Sequence, residues 1–125
     1  MKIIDHRNLE HAEMPGIDHV TLAGNSDGLQ HLSVWRQSLG PGTASPPHRH
    51  DCEEVVMCEA GHGEIHIDGN VHAFGPEMSL VIPPNVAHQI FNVGSEVMKL
   101  TAVLSASPVA VSFPDGSPLP LPWRT

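Results

Sequence analysis

His48 and His50 stand two residues apart with Glu54 close behind, the most chemically suggestive grouping in this 125-residue chain. In a strand, side chains two apart project from one face, about 6.5–7 Å from each other. His48 and His50 therefore share a face, and a return to the same parity brings Glu54 onto it. Two neutral imidazoles and a carboxylate suit a divalent first-row metal. Thirty-four residues after Glu54 comes Pro83-Pro84-Asn85-Val86-Ala87-His88. A turn there, with His88 opening the next strand, delivers a third imidazole from the opposite wall of a closed barrel.

Such a convergence needs short strands that cross one another, and the sequence is built that way. Runs rich in apolar and β-branched residues cover 18–23, 29–39, 53–59, 64–68, 71–74, 78–82, 88–93 and 97–104, and Gly, Pro, Asn and Asp punctuate them. Eight strands with turn signals every ten or so residues describe a sandwich, jelly roll or small barrel. Few stretches suit a helix, and residues 6–14 are expected to give a turn or two. The barrel core spans about 18–107. The Pro-rich tail 108–125, with Phe113, Leu119, Leu121 and Trp123, reads as an extended strap packed on the barrel wall or a partner subunit. The length suits one domain over 1–125.

Composition narrows the function classes. The net charge of −8 argues against a surface for nucleic acid or anionic lipid. No apolar run approaches a membrane span, and the N-terminus lacks the features of a signal peptide. Cys52 and Cys58, six apart, would lie about 20 Å apart on one strand, too far for a bridge. Two reduced thiols and a cytoplasmic location are the expectation.

The motifs resemble those of the cupin superfamily. Its first motif is Gly, five residues, His-x-His, three or four residues, Glu, six residues, Gly. Gly42, His48, His50, Glu54 and Gly61 stand at those positions. The second is Gly, five residues, Pro-x-Gly, two residues, His, three residues, Asn. Pro83, His88 and Asn92 fit it, whereas Glu77 and Asn85 occupy the two glycine positions. Asn is the residue that best replaces Gly at positive φ; Glu77 leaves the shape of its turn open. The resemblance implies an all-β double-stranded β-helix, or jelly-roll barrel. It also implies His48, His50, Glu54 and His88 as ligands of one divalent transition metal (Mn, Fe, Ni, Zn or Cu), and a homodimer.

Four protein ligands leave one or two positions open at coordination five or six, which permits chemistry on a small-molecule substrate or ligand. The leading expectation is a metal-dependent oxidoreductase of the dioxygenase type acting on a small oxygenated molecule. A metal-dependent isomerase, decarboxylase or lyase on a sugar-like acid, and a non-catalytic binding module, stand beside it. Gln37, His66 and Thr101 are candidate pocket residues, with His31 sharing the parity of Gln37 and Trp35. Glu53 and Arg49 have the wrong parity for the metal and belong outside. His6, His11, His19 and His72 read as surface residues. His62 and His66 superficially suggest a zinc-protease pair, but that motif needs a helix and Gly61 and Gly63 break one.

Overall fold

The computed structural model describes residues 1–125 as nine antiparallel strands in two facing sheets: β1 (Ala12–Met14), β2 (Ile17–Ala23), β3 (Ser33–Leu39), β4 (Glu54–Ala60), β5 (Gly63–Ile67), β6 (Asn70–Phe74), β7 (Ser79–Ile82), β8 (His88–Asn92) and β9 (Met98–Leu104). The larger sheet runs β1-β2-β3-β9-β4-β7 and the smaller β6-β5-β8. Residues 44–48 extend the smaller sheet, bridging Ala44 to Phe91 and His48 to His88. This is the jelly roll expected from the strand pattern.

Alternation decides which side chains meet between the sheets. In β9, Met98, Leu100, Ala102 and Leu104 are buried, while Lys99 between them is exposed. In β4, Val56 and Cys58 enter the core with Glu54 on the same face. Cys52 is also buried, and both thiols are free. Gly61 makes the turn into β5 at φ +89°, where a Cβ would lie 2.7 Å from the Met98 Cα, so the position requires glycine for conformation and for space.

Three local expectations change. Residues 6–14 give one turn of 3-10 helix, His6–Asn8, capped by Asp5, and then, in place of a second turn, β1. A Pro15-Gly16 turn, with Gly16 at φ +76°, folds β1 onto β2, and that pairing outweighs any local helical preference. The third strand starts at Ser33 rather than Leu29, because a second 3-10 turn, Asn25–Asp27, ends at Gly28 with φ +92° and sends the chain through a loop first. His31 lies in that loop, exposed.

Both departures from the second motif keep a left-handed backbone: Glu77 has φ +66° and Asn85 φ +63°. Asn tolerates this conformation, whereas Glu carries about 1–2 kcal/mol of strain. Restoring flexibility costs roughly 0.5–1 kcal/mol of entropy. Glu77→Gly is therefore expected to raise stability by up to about 1 kcal/mol, a rise in Tm of about 2–5 °C by scanning calorimetry. A lower Tm would contradict the strain argument. Asn92, 2% exposed, knits the fold by donating to the carbonyls of Leu39 (2.9 Å) and Glu96 (2.8 Å) and accepting from the Gly94 amide (3.0 Å).

Candidate metal centre and cavity

The two motifs meet through their backbones. His48 and His88 exchange both amide-to-carbonyl hydrogen bonds (3.0 and 2.9 Å), and the Asn85 amide donates to the His50 carbonyl at 2.6 Å. His48 lies just ahead of β4, Glu54 opens β4 and His88 opens β8. One ring nitrogen from each of His48, His50 and His88 lies within 4.8 Å of the others. Glu54 Oε1 sits 3.3 Å from His88 Nε2 and 3.7 Å from His50 Nε2. The structure thus brings together the four residues marked by the motifs.

The protons on these rings are dictated by their surroundings. Nδ1 of His48 faces the Pro46 carbonyl (2.7 Å), that of His50 the Ala110 carbonyl (3.2 Å) and that of His88 the Val86 carbonyl (2.9 Å). A carbonyl only accepts, so each Nδ1 carries a hydrogen, and each ring, when neutral, turns its Nε2 lone pair into the site. Burial pushes His48 down to about 4, helped by the neighbouring His88, and burial likewise lowers His50. Burial alone would raise the Glu54 carboxyl, but His88 and the other two imidazoles outweigh it and hold it below the usual range. With the rings neutral, the site offers three nitrogen acceptors and one carboxylate. His88 Nε2 and Glu54 Oε1 are both buried without a hydrogen-bond partner, 3.3 Å apart. Two acceptors facing each other in a buried site repel unless a cation, a proton or a metal ion, lies between them. This donor set fits a divalent metal, with backbone carbonyls fixing each ring as second partners.

Beside the four residues lies a cavity with about 60 Å³ of free space. Its walls are mainly apolar, among them Ile17, Trp35, Val56, Leu100 and Ala102 from the larger sheet and Ile90 from the smaller. Apart from the four candidate ligands, its only side-chain polar groups are the Gln37 amide, the Ser45 hydroxyl and the two indole N–H groups of Trp35 and Trp123. No Asp, Lys, Arg or Tyr reaches it.

Of the other sequence candidates, Gln37 lines this cavity and His66 and Thr101 do not. His66 has the opposite parity to the buried Ile65; it lies beside Glu64 (3.3 Å) and against the Phe91 ring (4.3 Å) on the outer face of the smaller sheet. Thr101 lies between the buried Leu100 and Ala102 and donates outward to Glu59 at 2.6 Å. In this barrel the cavity is walled by the same parity as the core, which excludes both. Glu53 is exposed, and Arg49 pairs through its backbone with Ser112.

His19 is not a surface residue: it is 1% exposed. It follows the buried Ile17 by two residues on β2, so its parity already pointed inward. Its ring stacks on Trp123 (centroids 3.7 Å apart, planes at 7°) and meets the edge of Trp35 at 5.1 Å. Burial pushes its imidazole down to about 3, with the nearby Asp18 charge opposing. The tail also takes a fuller part than a strap on the outer wall. Val111, Leu119, Leu121 and Trp123 line the cavity, while Phe113 stays exposed. The signal was present in Pro118-Leu119-Pro120-Leu121-Pro122-Trp123, where apolar residues alternate with prolines at the strand period.

Comparisons with known proteins agree with this fold. A family model described as "Cupin domain" matches residues 35–104. Auxin-binding protein 1 of Arabidopsis thaliana is 32% identical over 108 residues, covering 78% of this chain and 54% of that protein. Auxin-binding protein T85 of Nicotiana tabacum is 32% identical over 117 residues, covering 84% and 63%. The chain thus spans less than two thirds of the length of either relative. A solved sugar phosphate isomerase of the cupin superfamily from Silicibacter pomeroyi superposes with a TM-score of 0.76 at 22% identity, covering 95% of this chain and 97% of that one.

Proposed function

The chain belongs to the cupin family, and from that premise we propose that it binds one divalent transition metal through His48, His50, Glu54 and His88 and, on that metal, a small organic acid. The observation that carries this reading is the pair of unpartnered buried acceptors, Glu54 Oε1 and His88 Nε2, 3.3 Å apart. A divalent metal held there supplies a positive centre with positions open to an oxygen ligand. Three neutral imidazoles and one carboxylate leave net positive charge on such a centre, which favours an anionic oxygen. The apolar walls around it favour a ligand whose other end is hydrocarbon or aromatic. The two relatives at 32% identity are named for binding a small molecule, auxin. With no acidic or basic side chain in the cavity beyond the four ligands, proton-transfer chemistry on a sugar-like acid has no separate group to perform it.

Calorimetric titration of the metal-loaded protein with a panel of small aliphatic and aromatic carboxylates tests this. One-to-one binding is expected with metal, at least tenfold weaker without it, and the ligand is expected back unchanged. Equal affinity in the metal-free protein would overturn the reading. A second reading, oxidoreductase turnover of the dioxygenase type, rests on the same open positions beside a water-poor cavity. Consumption of one dioxygen per molecule of acid converted would establish it in place of simple binding.

A further inference from the structure

Leu121 and Trp123 have a double position. They wall the inner cavity and also one side of an outer groove, whose far side is formed by residues 9–12 and 26–27. The last part of the tail is therefore one partition between solvent and the candidate metal centre, on the side away from the half-buried Ser45 and Pro46. It is held unusually. Residues 120–124 make no backbone-to-backbone hydrogen bond, and Pro118, Pro120 and Pro122 have no amide hydrogen to give. The Trp123 indole N–H is buried without a partner.

Beyond residues 120–124, Thr125 is pinned by the Val109 amide, which donates to its hydroxyl at 2.8 Å. Within the segment, what holds it besides apolar contact is a directed chain of hydrogen bonds that starts on the cavity wall. The Thr21 hydroxyl donates to the Arg124 carbonyl at 3.1 Å, so its oxygen is free to accept from His19 Nε2–H at 2.8 Å. That places the His19 proton on Nε2 and leaves Nδ1 to accept from the Gln37 amide at 3.1 Å. The chain runs Gln37, His19, Thr21, Arg124, from a cavity-lining side chain to the carbonyl beside Trp123. The His19 ring is at the same time the surface on which Trp123 stacks. Free space of about 60 Å³ accepts about four waters, so a larger ligand fits only if a wall gives way, and this one has no backbone pairing to hold it.

We infer that Trp123 is the gate between the outer groove and the inner cavity, and that His19 is the positioning residue that keeps it shut through Thr21 and the Arg124 carbonyl. A ligand passes along the groove, lifts residues 120–124 off His19, and is enclosed when they return. Nothing in this requires metal, so the gate and the metal reading fail separately.

The chain has two tryptophans, Trp35 and Trp123, and a Trp35→Phe background leaves Trp123 as the sole indole. Acrylamide quenching of its fluorescence, in metal-free protein, reports how often the gate is open. Thr21→Val keeps the side-chain shape and removes the hydroxyl; Thr21→Ser keeps the hydroxyl. A quenching constant about threefold higher in Thr21→Val, and the background value in Thr21→Ser, is the expected result, with unchanged far-UV circular dichroism in both. Unchanged quenching in both variants would overturn the inference, because apolar contact alone would then hold the segment. An equal rise in both would overturn it as well, since packing of the methyl group rather than the hydrogen bond would be responsible. The exchange rate of the Trp123 indole hydrogen by NMR, in the otherwise unaltered protein, is expected to be slowed at least tenfold relative to a free indole, and an unprotected rate would also refute a closed gate.

Discussion

Replacing His50 and His88 together with alanine is expected to strip the protein of metal. If a structural-type site binds with roughly 10–16 kcal/mol shared over four ligands, each ligand contributes about 3 kcal/mol, and losing two lowers affinity about 10⁴-fold. Protein isolated without added metal should then fall from near one metal per chain to less than about a tenth by elemental analysis. The same substitutions remove Nε2 atoms from a site whose Glu54 is 6% exposed, and losing the metal leaves that buried carboxylate without the cation that offsets its charge. Glu54→Gln is the companion change, because it keeps the volume and removes the charge that balances the metal. It should lower metal content without the cavity that the alanines create. Undiminished metal in both proteins would remove the foundation of the proposed function.

The second large effect is acid lability of the metal-free protein. His19 and His48 are held down to about 3 and 4 by burial, and burial lowers His50 as well. Below pH 6.5 the unfolded chain binds a proton at each of these positions and the folded chain does not, so stability falls as pH falls. The contribution is complete above about 6.5 and is lost progressively toward the folded values near 3–4. Each such imidazole costs up to about 1.4 kcal/mol per pH unit in that window. From pH 7.5 to 5, His19 and His48 alone amount to roughly 4 kcal/mol, a large part of a typical folding free energy. Urea denaturation in the presence of chelator should show the midpoint falling by about 2 M between pH 7.5 and 5. A His19→Phe variant should lose about half of the part that His19 and His48 contribute together. A midpoint constant over this range would mean that the buried rings are already protonated in the fold. Added metal should blunt the effect, because it binds the unprotonated rings.

The candidate ligand positions were legible from motif and spacing because a jelly roll converts sequence interval into geometry. His48 and His50 share a face by parity, and Pro83 to Asn85 must turn before His88. Parity also contained more than was drawn from it. It distinguishes two faces without saying which is wet, and in this barrel the core and the cavity share one face. His66 and Thr101, polar residues opposite Ile65 and Leu100, therefore belong outside, while His19, in register with Ile17 and opposite Gln37, belongs inside. Polarity suggested the reverse for all three. The part of the tail that walls the cavity was harder to assign. An alternating Pro-Leu pattern shows that one side of the strap is apolar, but which surface it covers depends on contacts some 100 residues distant in sequence, such as Thr21 with Arg124. The missed β1 belongs to the same class, since three residues become a strand only because β2 offers them an edge.

The prolines of the strap bear on self-association as well as on closure. A chain end that detaches from a β-barrel ordinarily exposes extended backbone with free donors, which a second molecule can take up as an added strand. Residues 118, 120 and 122 cannot donate. The donor-poor side of the segment repeats with the strand period, so no continuous ladder can be built along that side, while the other side keeps the amides of residues 119, 121 and 123. A Leu-Pro-Leu-Pro-Trp end thus offers a second molecule half the edge that an ordinary strand would, which makes it a guard against edge-to-edge aggregation as well as a wall for the cavity.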